Sequence, residues 1–127
     1  YDGIVAGGSA PAALNTVEHY NGSIWSSAAT MIVTRMNSNG QSQAAGSTIA
    51  AGGAPGAASG STEEYNGTSW KVGSYLITHR SCLPSFVTDG TGGLMIGGYD
   101  GLNDTEEYIG SGIYKSLKVC AVTGSQA

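Results

Sequence analysis

The feature that most narrows the folds open to this chain is an internal repeat, which has to be recognised before any local reading. A Gly-Gly pair stands at Gly7-Gly8, at Gly52-Gly53 and at Gly97-Gly98, so successive pairs are 45 residues apart. A Glu-x-Tyr follows each pair: Glu18 with Tyr20, Glu63 with Tyr65 and Glu106 with Tyr108. The tyrosines lie 45 and then 43 residues apart, so the third unit is two residues shorter in the loop after its glycines. Trp25 and Trp70 are again 45 apart, as are Arg35 and Arg80. Four markers in one phase divide the chain into three units of a single repeat. Its 127 residues leave room for one domain of ordinary size.

Each unit reads as a set of short strands. Ile4-Val5-Ala6, Thr48-Ile49-Ala50-Ala51 and Leu94-Met95-Ile96 are apolar runs, each ending at or just before a glycine pair. Unbroken apolarity predicts strands covered on both faces. A loop rich in Gly, Ser, Ala and Pro follows, and then a second strand, at 15–20 and 60–65. Asn21-Gly22 and Asn66-Gly67 come next, the dipeptide that is the strongest short signal of a hairpin. Return strands start near Trp25 and Trp70, and extended stretches around Arg35 and Arg80 lead into the next unit. No segment carries a 3.6-residue apolar period with caps, so almost no helix is expected. The fold class is all-β, with four short antiparallel strands in each unit of about 45 residues, the proportions of a propeller blade.

The order Gly-Gly, Glu-x-Tyr, Trp and then Arg ten residues on resembles the kelch repeat, over nearly the whole chain from Gly3 to about Cys120. The resemblance implies that Gly7, Gly8, Gly52, Gly53, Gly97 and Gly98 end second strands and that Tyr20, Tyr65 and Tyr108 sit on third strands. Trp25, Trp70 and Tyr114 would open fourth strands, with Arg35 and Arg80 leading into the next blade. It makes residues 1–127 a single repeat region: 3–30 a partial blade, 36–76 a full one and 81–120 a degraded terminal one. The compact Glu-Tyr-Asn-Gly-x-x-Trp form, with four residues between Tyr and Trp, is similar to tandem repeats of bacteriophage and viral appendage proteins. The third unit departs from it, with Ile109 in place of Asn, one extra residue, and Tyr114 in place of Trp. Closed propellers have four to eight blades. A ring is therefore incomplete here, and further blades of the same polypeptide or self-association between chains are expected to cover the open ends. The absence of a first strand in the first unit suggests that Tyr1 is not a natural start.

The candidate sites divide between chemistry and architecture. Trp25, Trp70 and Tyr114 suit a sugar-stacking row, but the repeat phase favours packing between neighbouring blades. Arg35 and Arg80 suit an acidic ligand in a central channel; bonding to backbone carbonyls or to a nearby Glu of a blade is the stronger reading. Glu63-Glu64 and Glu106-Glu107 look like carboxylate pairs for glycoside hydrolysis, yet adjacent strand residues point to opposite faces. His19 and His79 fall in different phases, and no three or four clustered ligands suit zinc. The stretch Tyr99–Asp104 is oxygen-rich but lacks EF-hand spacing. No nucleophile elbow and no phosphate loop is present. The reading therefore contains no catalytic residue, metal or cofactor. Cys82 and Cys120 fall on the first and fourth strands of one blade, roughly 14 Å apart at about 4.8 Å per strand, too far for a bridge. No disulfide is expected. Asn21, Asn66 and Asn103 each open a glycosylation sequon.

Charge sets the outer limits. Five Lys+Arg against nine Asp+Glu, a net charge of −4, leaves no basic stripe for nucleic acid. No apolar run approaches the roughly 20 residues of a spanning helix, so no membrane insertion is expected. The sequence points to a non-enzymatic structural or adhesive module of a virion or an extracellular appendage. Its rigid frame would hold the loops 9–15, 54–60 and 99–104 toward a glycan or a cell-surface protein. The alternatives are a fragment of a secreted kelch-type oxidase or lyase with its active site elsewhere, and a filament-forming subunit.

Overall fold

The computed structural model describes residues 2–36, 46–56, 60–81, 85–89, 92–99, 102–109 and 113–117. They form ten strands in three small antiparallel sheets, with almost no helix and none of the sheets closed on itself. The first sheet runs β1 (Gly3–Ala6), β2 (Val17–Tyr20) and β3 (Trp25–Ala28) in simple order, and the second β4 (Thr48–Ala51), β5 (Thr62–Tyr65) and β6 (Trp70–Val72). The third holds four strands, β7 (Ser85–Asp89), β8 (Gly92–Gly98), β9 (Leu102–Ile109) and β10 (Ile113–Leu117), neighbours in space in the order in which they follow in sequence. Among the described residues the second sheet has three strands where four are expected, and the first has three.

Register is set by the aromatic pairs at the hairpin ends. Tyr20 faces Trp25, Tyr65 faces Trp70, and Tyr108 faces Tyr114 across their strand pairs. Ring contacts follow, tilted for Tyr20–Trp25 with centroids 5.2 Å apart and stacked for Tyr65–Trp70 at 5.0 Å. The hairpins of the first two units turn at Asn-Gly, where the dipeptide places them. Four residues, 21–24 and 66–69, separate the strands, because each Asn works through its side chain. Asn21 Oδ1 accepts from the amides of Ser23 and Ile24, both at 3.0 Å, and Asn66 Oδ1 from Thr68 and Ser69 at 3.0 and 2.9 Å. This is an Asx turn, closed by the backbone bonds Asn21 N to Ile24 O and Asn66 N to Ser69 O. The third unit lacks that Asn. Its β9 is also longer than expected, since it starts at Leu102 and takes in Asn103 and Asp104, which the sequence reading places in a loop.

The glycine pairs turn the chain out of each sheet. Their φ values are 77° and 118° at Gly7 and Gly8, 62° and 107° at Gly52 and Gly53, and 57° and 144° at Gly97 and Gly98. The last pair lies inside β8, at a shift of register against β9. Gly7 and Gly52 donate to Thr16 O and Ser61 O, while Gly8 and Gly53 donate to the carbonyls of Arg35 and Arg80.

Two apolar clusters lie between sheets. Val17 and Met31 from the first unit meet Ala50, Tyr65 and Trp70 from the second. Ile49, Ala51 and Leu76 from the second meet Met95 and Tyr108 from the third. Gly7→Ala and Gly8→Ala separate the two demands on a glycine pair, since both place Cβ in left-handed backbone. Only at Gly7 would that Cβ meet a neighbour, the Arg35 carbonyl oxygen at 2.5 Å, whereas Gly8 has open space. Gly7→Ala is expected to lower stability by about 1–3 kcal/mol more than Gly8→Ala in urea melts.

Candidate functional site: the arginine–glutamate junctions

The most highly organised polar groups of the molecule lie between units. Arg35 has its backbone in the first unit and its buried guanidinium in the second. Nη1 donates to Gly52 O at 3.0 Å and to Ser61 O at 3.1 Å, and Nη2 to Ser61 Oγ at 3.1 Å and Glu63 Oε1 at 2.6 Å. Glu63 is also buried, and its remaining capacity is taken by main chain of the first unit. Ile32 N donates to Oε2 at 2.6 Å and Val33 N to Oε1 at 3.0 Å. The carboxylate thus holds the turn that delivers the arginine as well as the arginine itself.

Arg80 and Glu106 repeat this arrangement one unit on. Arg80 Nη1 donates to Gly97 O at 2.6 Å and Asp104 O at 3.3 Å; Nη2 donates to Asp104 Oδ2 at 2.9 Å and Glu106 Oε1 at 2.7 Å. Ile77 N and Thr78 N donate to Glu106 at 2.6 and 2.8 Å. Asp104 stands where the second unit has Ser61, so this junction carries a second carboxylate. Burial raises the Asp104 carboxyl, but a hydrogen bond from Thr78 and the Arg80 charge pull further the other way, leaving it below its ordinary 3.8. The stabilisation it brings is therefore present above that value and lost as pH falls below it.

Strand β5, Thr-Glu-Glu-Tyr, is buried at all four positions because its two faces meet different neighbours. Glu63 and Tyr65 face the first unit. Thr62 and Glu64 face the third, where the Glu64 carboxylate accepts from the Tyr108 hydroxyl. Glu64 also pairs with the exposed Lys71 at 2.6 Å. Burial together with the Glu64 charge pushes the Tyr108 phenol up to about 12. Thr62 Oγ1 donates to Ser74 O at 2.6 Å.

The marker residues of the sequence thus come together as junctions, and not as one cleft. Trp70 is almost fully buried between units, and its Nε1 donates to Ala29 O of the first unit at 2.8 Å. Trp25 occupies the same place in the first unit and is 53% exposed. Tyr114 lies on β10, opposite Tyr108. The adjacent carboxylates Glu63 and Glu64 face apart, as strand alternation requires. His19 pairs with Asp2, while the His79 ring lies over Gly60. Asn21 and Asn66 are at exposed turns, and Asn103 is exposed on β9. Cys82 and Cys120 lie outside the described residues. Among the described residues, no three His, Cys, Asp or Glu side chains are grouped to hold a metal ion, and no helix is long and apolar enough to cross a membrane. Arg35 and Arg80 bind backbone carbonyls and a glutamate, the stronger of the two readings of the sequence, which gives no part to Ser61 or to Asp104. The signal for the glutamates was in plain view, since they keep the phase of the tyrosines and arginines. No protein-family model and no curated protein matches the chain.

Removing one member of a buried ion pair strands the other charge, at a cost of about 3–5 kcal/mol. Arg35→Met and Glu63→Gln are each expected to destabilise the fold by about that amount in denaturant melts. The double change Arg35→Met/Glu63→Gln should cost less than the two single losses added together. The Tyr108 phenol gives a separate reading. Its folded pKa lies above the unfolded value near 10, so its contribution is whole below pH 10 and lost as pH rises through about 12. An absorbance titration should find one tyrosine ionising near pH 12, and Tyr108→Phe should remove that step.

Proposed function

We propose that this chain is a non-enzymatic structural and adhesive module, a run of kelch-like β-propeller blades belonging to a virion or an extracellular appendage. In this reading the stacked sheets are a stiff frame, and the loops they carry meet a glycan or a protein on a cell surface. Further blades, in the same polypeptide or in associating chains, complete the array.

The observation that carries the reading is a contrast between frame and loops. The Arg35–Glu63 and Arg80–Glu106 junctions use the same atoms on the same kinds of partner, main-chain turn amides included. The loops that follow the glycine pairs differ in sequence, and the stretch from the pair to Glu-x-Tyr is two residues shorter in the third unit than in the first two. A repeated frame under diverging surface loops suits recognition carried on a scaffold. The buried charges of the junctions serve the chain itself: Arg35, Arg80, Glu63 and Glu106 are hydrogen-bonded within it. The four-stranded meander of β7 to β10 has the strand count and order of one blade.

The test is an array of bacterial and cell-surface polysaccharides probed with the chain and with a variant carrying Gly-Ser-Gly in place of Ala10-Pro11-Ala12. Retention on some glycan class is expected, with affinity falling at least ~10-fold in the variant while its thermal melt stays close to that of the parent. Copper-dependent redox turnover would move the assignment to a secreted kelch-type enzyme. Concentration-dependent fibres without any glycan binding would move it to a filament subunit.

A further inference from the structure

The first unit carries one half of a junction whose other half is not filled by any described residue. Glu18 stands where Glu63 and Glu106 stand in the later units, paired across its sheet with Val5 and Ser27 as Glu63 is with Ala50 and Val72. Glu63 and Glu106 are buried under an arginine and two amides, whereas Glu18 is exposed and its carboxylate has no partner among the described residues. The rest of the face is exposed in the same way. Val5, 52% exposed, matches the buried Ala50, and Trp25 matches the buried Trp70. Tyr20 and Trp25 already lie ring against ring, tilted at 37° with centroids 5.2 Å apart, close to the stacked Tyr65 and Trp70 at 5.0 Å. Glu18, Thr16 and Ser27 line a half-open cavity of about 370 Å³ beside this face.

We infer that this face is a docking socket for a further unit of the same repeat, and that the segment it grips has the form Ile-x-x-Arg. The inference rests on the modular reading above and names the partner that such a module requires. The filled junctions specify the chemistry. The arginine binds the carboxylate, the glycine carbonyl and the residue two before the glutamate, which in the first unit are Glu18, Gly7 and Thr16. The amides three and two residues before that arginine cap the same carboxylate, as Ile32 and Val33 do for Glu63. The carbonyl six residues before it takes the indole N–H, as Ala29 does for Trp70. Charge makes the fit selective, since a lone exposed carboxylate over an aromatic pair prefers a guanidinium that brings its own amides. The chain's two arginines are both buried in its own junctions, so a second identical copy has no free Ile-x-x-Arg among its described residues.

The probe is a peptide of residues 26–37, which carries Met31-Ile32-Val33-Thr34-Arg35 and no tryptophan, added to the intact chain. Iodide quenching reads Trp25, the exposed one of the two tryptophans. Saturable protection of that fluorescence is expected below about 5 mM peptide. Affinity should fall at least ~10-fold when the peptide arginine is replaced by alanine, and equally when the chain carries Glu18→Gln. Since Glu18 is exposed, the Glu18→Gln chain should melt as the parent does. A second measurement covers weak binding in trans. A chain with residues 2–46 duplicated in phase ahead of Asp2 should protect Trp25 intramolecularly, and Glu18→Gln in the original unit should undo it. Protection that survives both substitutions, or none in either format, overturns the socket. So does protection that grows with protein concentration alone, or that a polysaccharide gives and the peptide does not. A chain that takes the peptide but no glycan keeps the socket and loses the adhesive reading.

Discussion

The contact on which the remainder depends is a guanidinium and a carboxylate held out of water between consecutive units. Such pairs are costly to bury, and they persist only where the leftover hydrogen-bonding capacity is met. Here main chain meets most of it, with Arg35 Nε the one donor of that guanidinium left over among the described residues. Arg35 takes the carbonyls of Gly52 and Ser61, and Glu63 takes the amides of Ile32 and Val33. The glycine pair contributes twice, because its left-handed turn exposes one carbonyl to the arginine side chain and turns one amide to the carbonyl of the arginine before the next turn.

That arrangement explains a strand which would otherwise be at odds with its surroundings. Thr62-Glu63-Glu64-Tyr65 carries two acids and is buried throughout. Alternation sends one acid to each neighbour, so each finds its own donors: Arg35 and turn amides on one side, Tyr108 and Lys71 on the other. The equivalent strand of the first unit has Val17 and His19 on its inner face, and Val17 packs with Met31 against Trp70 and Tyr65. The same backbone therefore carries acid, apolar or aromatic groups according to what each face meets.

Much of the fold was legible because it is local. The glycine pairs, the Asn-Gly turns and the short apolar runs each act within a few residues, and the strands fall where those signals place them. What the dipeptide leaves open is how each turn is closed, which Asn21 and Asn66 do through their side chains. The length of β9 was missed because Asn103 and Asp104 look like loop residues, and Asp104 owes its strand position to the Thr78 hydroxyl and the Arg80 guanidinium from another unit. The junctions themselves were only half visible. That arginine meets a glutamate follows from the shared phase. That the glutamate belongs to the following unit and also grips the turn before the arginine is a long-range fact.

A molecule held this way keeps its free energy at its boundaries. Each small sheet owns little interior of its own: Ile49 and Ala51 gain burial from one neighbour, Tyr65 and Trp70 from the other. The middle unit has no core until both sides are in place, so its folding is coupled to that of each neighbour. Three units contain two couplings, and every unit added brings one more for the same number of residues. Cooperativity, and with it resistance to unfolding, then grows with the length of the array.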